Sequence, residues 1–253
     1  MKFTFLGTGT SQGVPVITCQ CEVCSSTNKK DNRTRTSLFI QSETTSVVID
    51  TGPDFRMQML REKVKDLDAV LFTHGHKDHV AGLDDIRPFN YLLKKTIDVY
   101  AEKQVQEVLK REFAYAFEEQ QYPGAPQIKL KTIDETPFDI GDIHFVPIRA
   151  MHKTLPVLGF RVNDFTYITD ANFIADEELE KIKGSKVLVL NALRKETHYS
   201  HFNVEQALEI VNKVNPETAY FTHISHHLGL HEQVEEELPK HVFLAYDGLV
   251  IND

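Results

Sequence analysis

The stretch Thr73-His74-Gly75-His76-Lys77-Asp78-His79 decides how this chain is read. It follows the apolar run Ala69-Val70-Leu71-Phe72, which reads as a short buried strand. A packed core has no use for such a cluster, because His and Asp are costly to bury unpaired. A metal site needs it: neutral imidazoles and a carboxylate delivered together on a short loop. Four ligand groups suit two ions better than one. His74 and His76 can converge on the first ion, and Asp78 and His79, at a helix start, can point to a second.

Each ion then needs partners from elsewhere, and the candidates are His or Asp at strand ends. Arg149-Ala150-Met151 leads to His152, Tyr167-Ile168-Thr169 to Asp170, and Tyr220-Phe221-Thr222 to His223. The sets His74/His76/His152 and Asp78/His79/His223, with Asp170 shared, complete two sites. Singly, each of the last three is equally an ordinary polar strand terminus, and only the conjunction with 73–79 assigns it to metal. Asp50, closing Ser46-Val47-Val48-Ile49, is expected to orient a ligand histidine or hold the loop rather than to ligate.

Strands are expected at 2–6, 36–40, 46–50, 69–73, 97–101, 128–133, 143–149, 157–162, 165–169, 186–191, 218–222 and 242–251. Helices are expected from Pro53-Asp54 to about Lys63 with Phe55, Met59 and Leu60 buried, from Asp78 onward, over 104–118, over 176–183 and over 204–214, the last capped by Asn203 with Gln206. Val105, Val108, Leu109, Phe113, Ala116 and Phe117 form a helical stripe, read as core. The breaker-rich 120–126 follows, and 86–127 as a whole is a candidate helical cap or dimer insertion in an otherwise single domain over 1–253. The echo between Leu71-Phe72-Thr73-His74 and Tyr220-Phe221-Thr222-His223 suggests a duplicated strand–helix architecture.

The 253 residues are 41% hydrophobic and 26% charged, ordinary for a soluble globular chain. A net charge of −9 argues against a partner held by phosphate-backbone electrostatics. No apolar run reaches the ~18 residues of a membrane span. The first residues lack the pattern of a signal peptide, so a reducing cytoplasm is the expected compartment. Three cysteines spaced Cys19-x-Cys21-x-x-Cys24 fit metal ligation better than disulfides, but lack a fourth ligand nearby. Gly7-Thr8-Gly9-Thr10-Ser11-Gln12-Gly13 matches no phosphate-loop pattern. It reads as a tight turn beside the site, whose amides could still face an anion.

His-x-His-x-Asp-His followed by His, Asp and His at strand ends resembles the metallo-β-lactamase fold over essentially the whole chain. That resemblance implies an α/β protein: an αββα sandwich of two mixed sheets flanked by helices, with one or two metals between the sheets. Leu6-Gly7-Thr8-Gly9-Thr10-Ser11-Gln12-Gly13-Val14-Pro15, the cysteine cluster, Thr222-His223-Ile224-Ser225-His226 and Tyr246-Asp247-Gly248 look like the cyclic phosphodiesterase branch associated with carbon–phosphorus lyase. The branch implies a structural zinc on Cys19, Cys21, Cys24 and His226. It also implies that His201 donates a proton to the leaving oxygen, with His198 as the fallback. His144, His227, His231 and His241 fit no motif and read as surface or packing residues.

The implied chemistry is hydrolysis of a small phosphodiester, in the first place a cyclic one such as a ribose or nucleoside cyclic phosphate. Two active-site divalent ions, Zn or Mn, can clamp phosphoryl oxygens and lower the pKa of water to yield hydroxide near neutral pH. The rivals are a transfer-RNA 3′-processing endonuclease and a relative of the pyrroloquinoline quinone biosynthesis protein. A chain with zinc at the cysteines only is the plainest alternative. No membrane partner is expected; a homodimer is left open.

Overall fold

Strands and helices alternate along the chain, and the computed structural model describes residues 1–120 and 122–252. Gln121, inside the breaker-rich loop expected at 120–126, lies outside the described residues. The first half holds β1 (Lys2–Gly7), β2 (Ser37–Gln41), β3 (Ser46–Ile49), α1 (Phe55–Arg61), β4 (Ala69–Leu71), α2 (Lys77–Val80), α3 (Arg87–Leu93), β5 (Ile97–Ala101), α4 (Lys103–Glu112) and β6 (Ile128–Thr132). The second holds β7 (Phe138–Ile140), β8 (Ile143–His152), β9 (Leu155–Val162), β10 (Phe165–Ile168), β11 (Phe173–Ile174), α5 (Asp176–Ile182), β12 (Val187–Asn191), α6 (Val204–Val214), β13 (Thr218–Thr222), α7 (His231–Glu237), β14 (Val242–Leu244) and β15 (Val250–Asn252).

One sheet has the order β15-β1-β2-β3-β4-β5-β6; the other is β11-β8-β9-β10-β12-β13-β14, with β7 beside β8. In the first sheet the pairings run antiparallel as far as β3 and parallel beyond it. The second repeats this, antiparallel as far as β10 and parallel beyond. The duplication suggested by the sequence is therefore present, but in a different register. β4 is the counterpart of β12, not of β13, and the residues that correspond across the halves are Asp50 after β3 and Asp170 after β10.

The strands read as continuous apolar runs because each sheet is covered on both faces. Val47 and Ile49 point into the space between the sheets, with Phe3, Phe5, Phe145, Phe160, Phe165 and Tyr167. Val48 points outward, onto Phe55, Met59, Val105 and Leu109 of α1 and α4. Likewise Val189 faces inward while Leu188 and Leu190 pack against Leu179, Ile182, Ile210 and Val211 of α5 and α6. Four layers result: helix, sheet, sheet, helix, the αββα sandwich expected. Among the described residues, no helix is long and apolar enough to cross a membrane.

Four expectations are corrected. The strand expected over 242–251 is two strands in different sheets. Ala245 N still bonds Phe221 O, but Gly248, with φ +88, donates from N to Phe5 O and carries the chain across the sandwich. The helix expected over 104–118 ends at Glu112; Ala114–Ala116 is a 3-10 turn that still buries Phe113 and Ala116. Aromatic side chains lose rotamer freedom in a helix, so the Phe113-to-Phe117 run gains little by continuing it. In α1, Leu60 is exposed and Gln58 is buried in its place, donating from Nε2 to Arg35 O and Thr34 Oγ1. The helix opened by Asp78 stops after one turn. Residues 86–127 contain β5, which lies between β4 and β6, and α4, whose Val105 and Leu109 belong to the outer core.

Candidate metal centre

Three site residues leave their strands in the same way. Asp50, Asp170 and His223 have φ of +63°, +56° and +55°. That left-handed conformation is unfavourable for residues with a Cβ and is found where surrounding structure over-determines it. Here the surroundings are visible. Asp50 N bonds Leu71 O, Thr51 N bonds His79 O, and Thr73 N bonds Asp50 Oδ1 at 2.9 Å. Thr73 O accepts from Leu158 N of β9, tying the motif loop to the other sheet.

The sequence-nominated donors converge. His74 Nε2 lies 3.0 Å from His76 Nδ1. The His152 ring centroid is 5.9 Å from that of His74 and 5.1 Å from that of His76. On the other side, His79 Nε2 lies 3.3 Å from Asp78 Oδ2 and 3.2 Å from Asp170 Oδ2, and His223 Nδ1 lies 3.1 Å from Asp170 Oδ2. Asp78, His79, Asp170 and His223 can each place one ligand atom within a single cation's reach, and so can His152, Asp170 and His201. Asp170 belongs to both groups.

The far nitrogens are held so that the near ones face inward. His79 Nδ1 meets Asp50 Oδ2 at 2.7 Å, His152 Nδ1 donates to Ser200 O at 2.8 Å, and His74 Nδ1 meets Thr73 Oγ1 at 3.0 Å. Thr73 Oγ1 in turn donates to Asp50 Oδ2 at 2.8 Å. Such partners fix tautomer and ring orientation in metal-ligating histidines. His79 Nε2, His201 Nδ1 and His223 Nδ1 are buried without a hydrogen-bond partner. All three face Asp170: His79 Nε2 and His223 Nδ1 lie 3.2 and 3.1 Å from Oδ2, and His201 Nδ1 lies 4.0 Å from Oδ1.

Electrostatics agree with a cation there. Burial alone would lower His79, but the carboxylates of Asp170, Asp78 and Asp50 override it and hold the imidazole well above the usual histidine range. Burial would raise Asp170, yet His223 and His79 hold it well below the carboxylate range. Burial depresses His74 strongly and His152 to a lesser degree, leaving neutral ligands. Three carboxylates that favour positive charge at one buried imidazole mark where a metal ion would supply that charge instead.

The donors open into a cavity of about 280 Å³ walled also by Thr10, Ser11, Leu193, His198 and Tyr199. The glycine-rich loop supplies Thr10 and Ser11. It is pinned on both sides, since Gly9 N bonds Thr34 O and Thr10 N bonds Ile224 O. A Cβ at Gly7 would overlap the Arg35 carbonyl, which is why the loop begins on glycine. His201 sits in this wall, its ring 4.6 Å from that of His152 and 4.7 Å from that of His223. Burial pushes it down to about 3.

A second cluster lies apart from the first. The sulfurs of Cys19, Cys21 and Cys24 stand 3.4, 3.4 and 3.5 Å from His226 Nδ1. Tetrahedral Zn–S and Zn–N bonds imply an S···N edge of about 3.6 Å, so the four atoms already have the spacing of a zinc site. Val16 N and Cys24 N donate to the Cys24 and Cys21 sulfurs. Of the remaining histidines, His144 is exposed against Asp139, whereas His231 is fully buried against Arg33. Sequence reasoning missed Asn191 and Thr73 as partners of the site residues. The signal for Asn191 was there: like Asp50, it is a polar residue closing an apolar strand.

Two packed mixed sheets with candidate metal donors gathered at their strand ends are the architecture of the metallo-β-lactamase fold. The chain belongs to the beta-lactamase superfamily, whose domain profile matches residues 45–224. It is 40% identical over 252 residues, 98% of its length, to a protein named octanoyltransferase from Porphyromonas gingivalis (strain ATCC BAA-308 / W83), and spans about half (51%) of that relative. Among solved structures, one described as a new diphosphatase from the PhnP family superposes with a TM-score of 0.93 at 37% identity, covering 100% of this chain and 97% of the other. Zn(2+)-bound PqqB from Methylobacterium extorquens shares the fold, with a TM-score of 0.79 at 18% identity and 100% of each chain covered.

Proposed function

We propose that this protein hydrolyses a small phosphodiester, in the first place a cyclic phosphate of ribose or of a nucleoside, with two divalent ions at the active site. The observation that carries the reading is Asp170, whose Oδ2 lies 3.2 Å from His79 Nε2 and 3.1 Å from His223 Nδ1 at the floor of a small cavity whose wall holds His201. In this reading His74, His76 and His152 hold one ion and Asp78, His79 and His223 the other, with Asp170 between them. The ions, Zn or Mn, would supply Lewis-acid neutralisation of phosphoryl charge and activation of water.

The chain's own residues do the rest. Asp50 orients His79 directly and His74 through Thr73, and the Ser200 carbonyl orients His152. His201 gives a proton to the leaving oxygen. Burial lowers its affinity for a proton, and the negative charge of a bound phosphodiester raises it for the proton it transfers. Cys19, Cys21, Cys24 and His226 hold a structural zinc that ties the N-terminal loop to the loop carrying His223. The likeness to a PhnP-family diphosphatase supports phosphoryl chemistry and adds diphosphate esters as a second substrate class.

The test is a screen of metal-loaded protein against cyclic phosphates, linear diesters, diphosphate esters and transfer-RNA precursors. Small cyclic phosphates should be turned over fastest, and Asp78→Ala should abolish hydrolysis of bis(p-nitrophenyl) phosphate. Preferential cleavage of transfer-RNA precursors, or full activity of Asp78→Ala, would overturn the proposal.

A further inference from the structure

The cavity over the donor groups has one wall residue that does no structural work visible in the packing. Tyr199 is 71% exposed, more than any other tyrosine among the described residues. Its ring centroid lies 4.5 Å from that of His198, and the ammonium of Lys153 stands over it, 5.3 Å from its centre. Its main chain is tied to that of Lys153. Asn172 Nδ2 donates to Tyr199 O, and Asn172 Oδ1 accepts from Lys153 N at 2.6 Å. One side chain thus sets both members of the pair, on the 153–154 turn and the 198–200 loop.

The rest of the wall is polar apart from Leu193: imidazoles, carboxylates and the hydroxyl residues Thr10, Ser11 and Ser200. That lining suits a phosphoryl group and its ester oxygens. A cavity of about 280 Å³ also lies just below the ~300–1,000 Å³ of pockets that bury most of a drug-sized ligand. Any bulky substituent of a phosphodiester must therefore leave past the rim, where the exposed ring stands. An electron-rich face with a cation beside it stacks planar heteroaromatic groups and offers a donor to their ring acceptors.

We propose that Tyr199 and Lys153 form an outer subsite for the base of a nucleoside cyclic phosphate, making Tyr199 a specificity-determining residue. This rests on the phosphodiesterase reading and narrows its substrate class. Base stacking contributes about 1–3 kcal/mol per base, so its loss should cost roughly tenfold or more in affinity.

The experiment compares adenosine 2′,3′-cyclic phosphate with ribose 1,2-cyclic phosphate, which has no base, and adds calorimetric binding of adenosine monophosphate to the metal-loaded protein. Tyr199→Ala should raise KM for the nucleoside substrate about tenfold, leave the ribose substrate unchanged and weaken the monophosphate equally; Tyr199→Phe should behave as wild type. Equal effects on both substrates, or none, overturn the proposal. So does a loss confined to Lys153→Ala, which would mark an anion subsite instead. If wild type hydrolyses neither substrate, the phosphodiesterase reading fails by itself. The binding comparison between wild type and Tyr199→Ala then still decides whether the rim takes a base.

Discussion

Asn191 holds Ala171 by both halves of its amide: Oδ1 accepts from Ala171 N at 2.7 Å and Nδ2 donates to Ala171 O at 2.9 Å. Asn191 is fully buried at the end of β12, and Ala171 follows the left-handed Asp170. The same carbonyl also accepts from Phe202 N, next to His201. One side chain thus positions the shared carboxylate and the loop bearing the proposed acid. Asn191→Ala leaves the Ala171 carbonyl to Phe202 N but strips the buried Ala171 N–H of its acceptor, a cost of about 1–3 kcal/mol that the fold should survive. Metal affinity or activity should fall by about 10- to 100-fold, as for other residues that orient ligands. Metal analysis with circular dichroism checks this, and unchanged metal content and turnover would count against it.

Asp50 is a sharper case because its effect runs through a tautomer. As a carboxylate it can only accept, so His79 must carry its proton on Nδ1 and present a bare Nε2. Asp50→Asn allows the amide to donate instead, which moves the imidazole proton to Nε2 and blocks ligation. The expected outcome is selective loss of the ion at Asp78, His79 and His223, with affinity down about 10- to 100-fold. Titration should find the other site still filling. Two intact sites of wild-type affinity would show that the tautomer is set elsewhere.

The sequence made the donor set legible because metal chemistry allows few residue types and the strands that deliver them are apolar on both faces. His74, His76, Asp78, His79, His152, Asp170 and His223 all reach one site. The register of the duplication was not legible. The repeated Phe-Thr-His pairs two strands that hold different places in their sheets, whereas Asp50 and Asp170 correspond through backbone conformation. The split of 242–251 was signalled by Asp247-Gly248, a turn-forming pair, but alternating apolar residues on both sides read as one strand. Nor can a sequence show that Asn191 and Ser200 O are partners of the site, because those contacts exist only once loops from distant parts of the chain meet.

The cysteine cluster predicts an effect on stability first and on the active site through it. Cys24→Ala removes one of four donors that already stand at zinc spacing, and it should release one zinc per chain. The melting temperature should fall by about 5–10 °C, taking roughly 2–4 °C per kcal/mol for a chain of this size. The loop holding His226 also carries His223, so active-site metal should bind more weakly as well. Zinc content and melting equal to wild type would remove the structural assignment without touching the active-site one.

A pH dependence follows from the buried contact between Arg33 and His231. Arg33 Nη2 lies 3.0 Å from His231 Nδ1. A guanidinium can only donate, so that imidazole nitrogen must stay unprotonated. Burial, reinforced by the positive charges of Arg33 and Lys30, lowers His231 from 6.5 to about 4. The unfolded chain therefore takes up a proton between pH 6.5 and about 4 that the folded chain refuses. This contribution to stability is complete above pH 6.5 and is lost as the pH falls through that window, to the extent of roughly 3 kcal/mol. His231→Gln keeps an acceptor for Arg33 and removes the titration. Urea unfolding at pH 7.5 and at pH 4.5 should show a smaller acid loss in the variant than in wild type. Equal losses would mean that His231 does not titrate in this range, because the metal ligands and carboxylates are common to both proteins and cancel in the comparison.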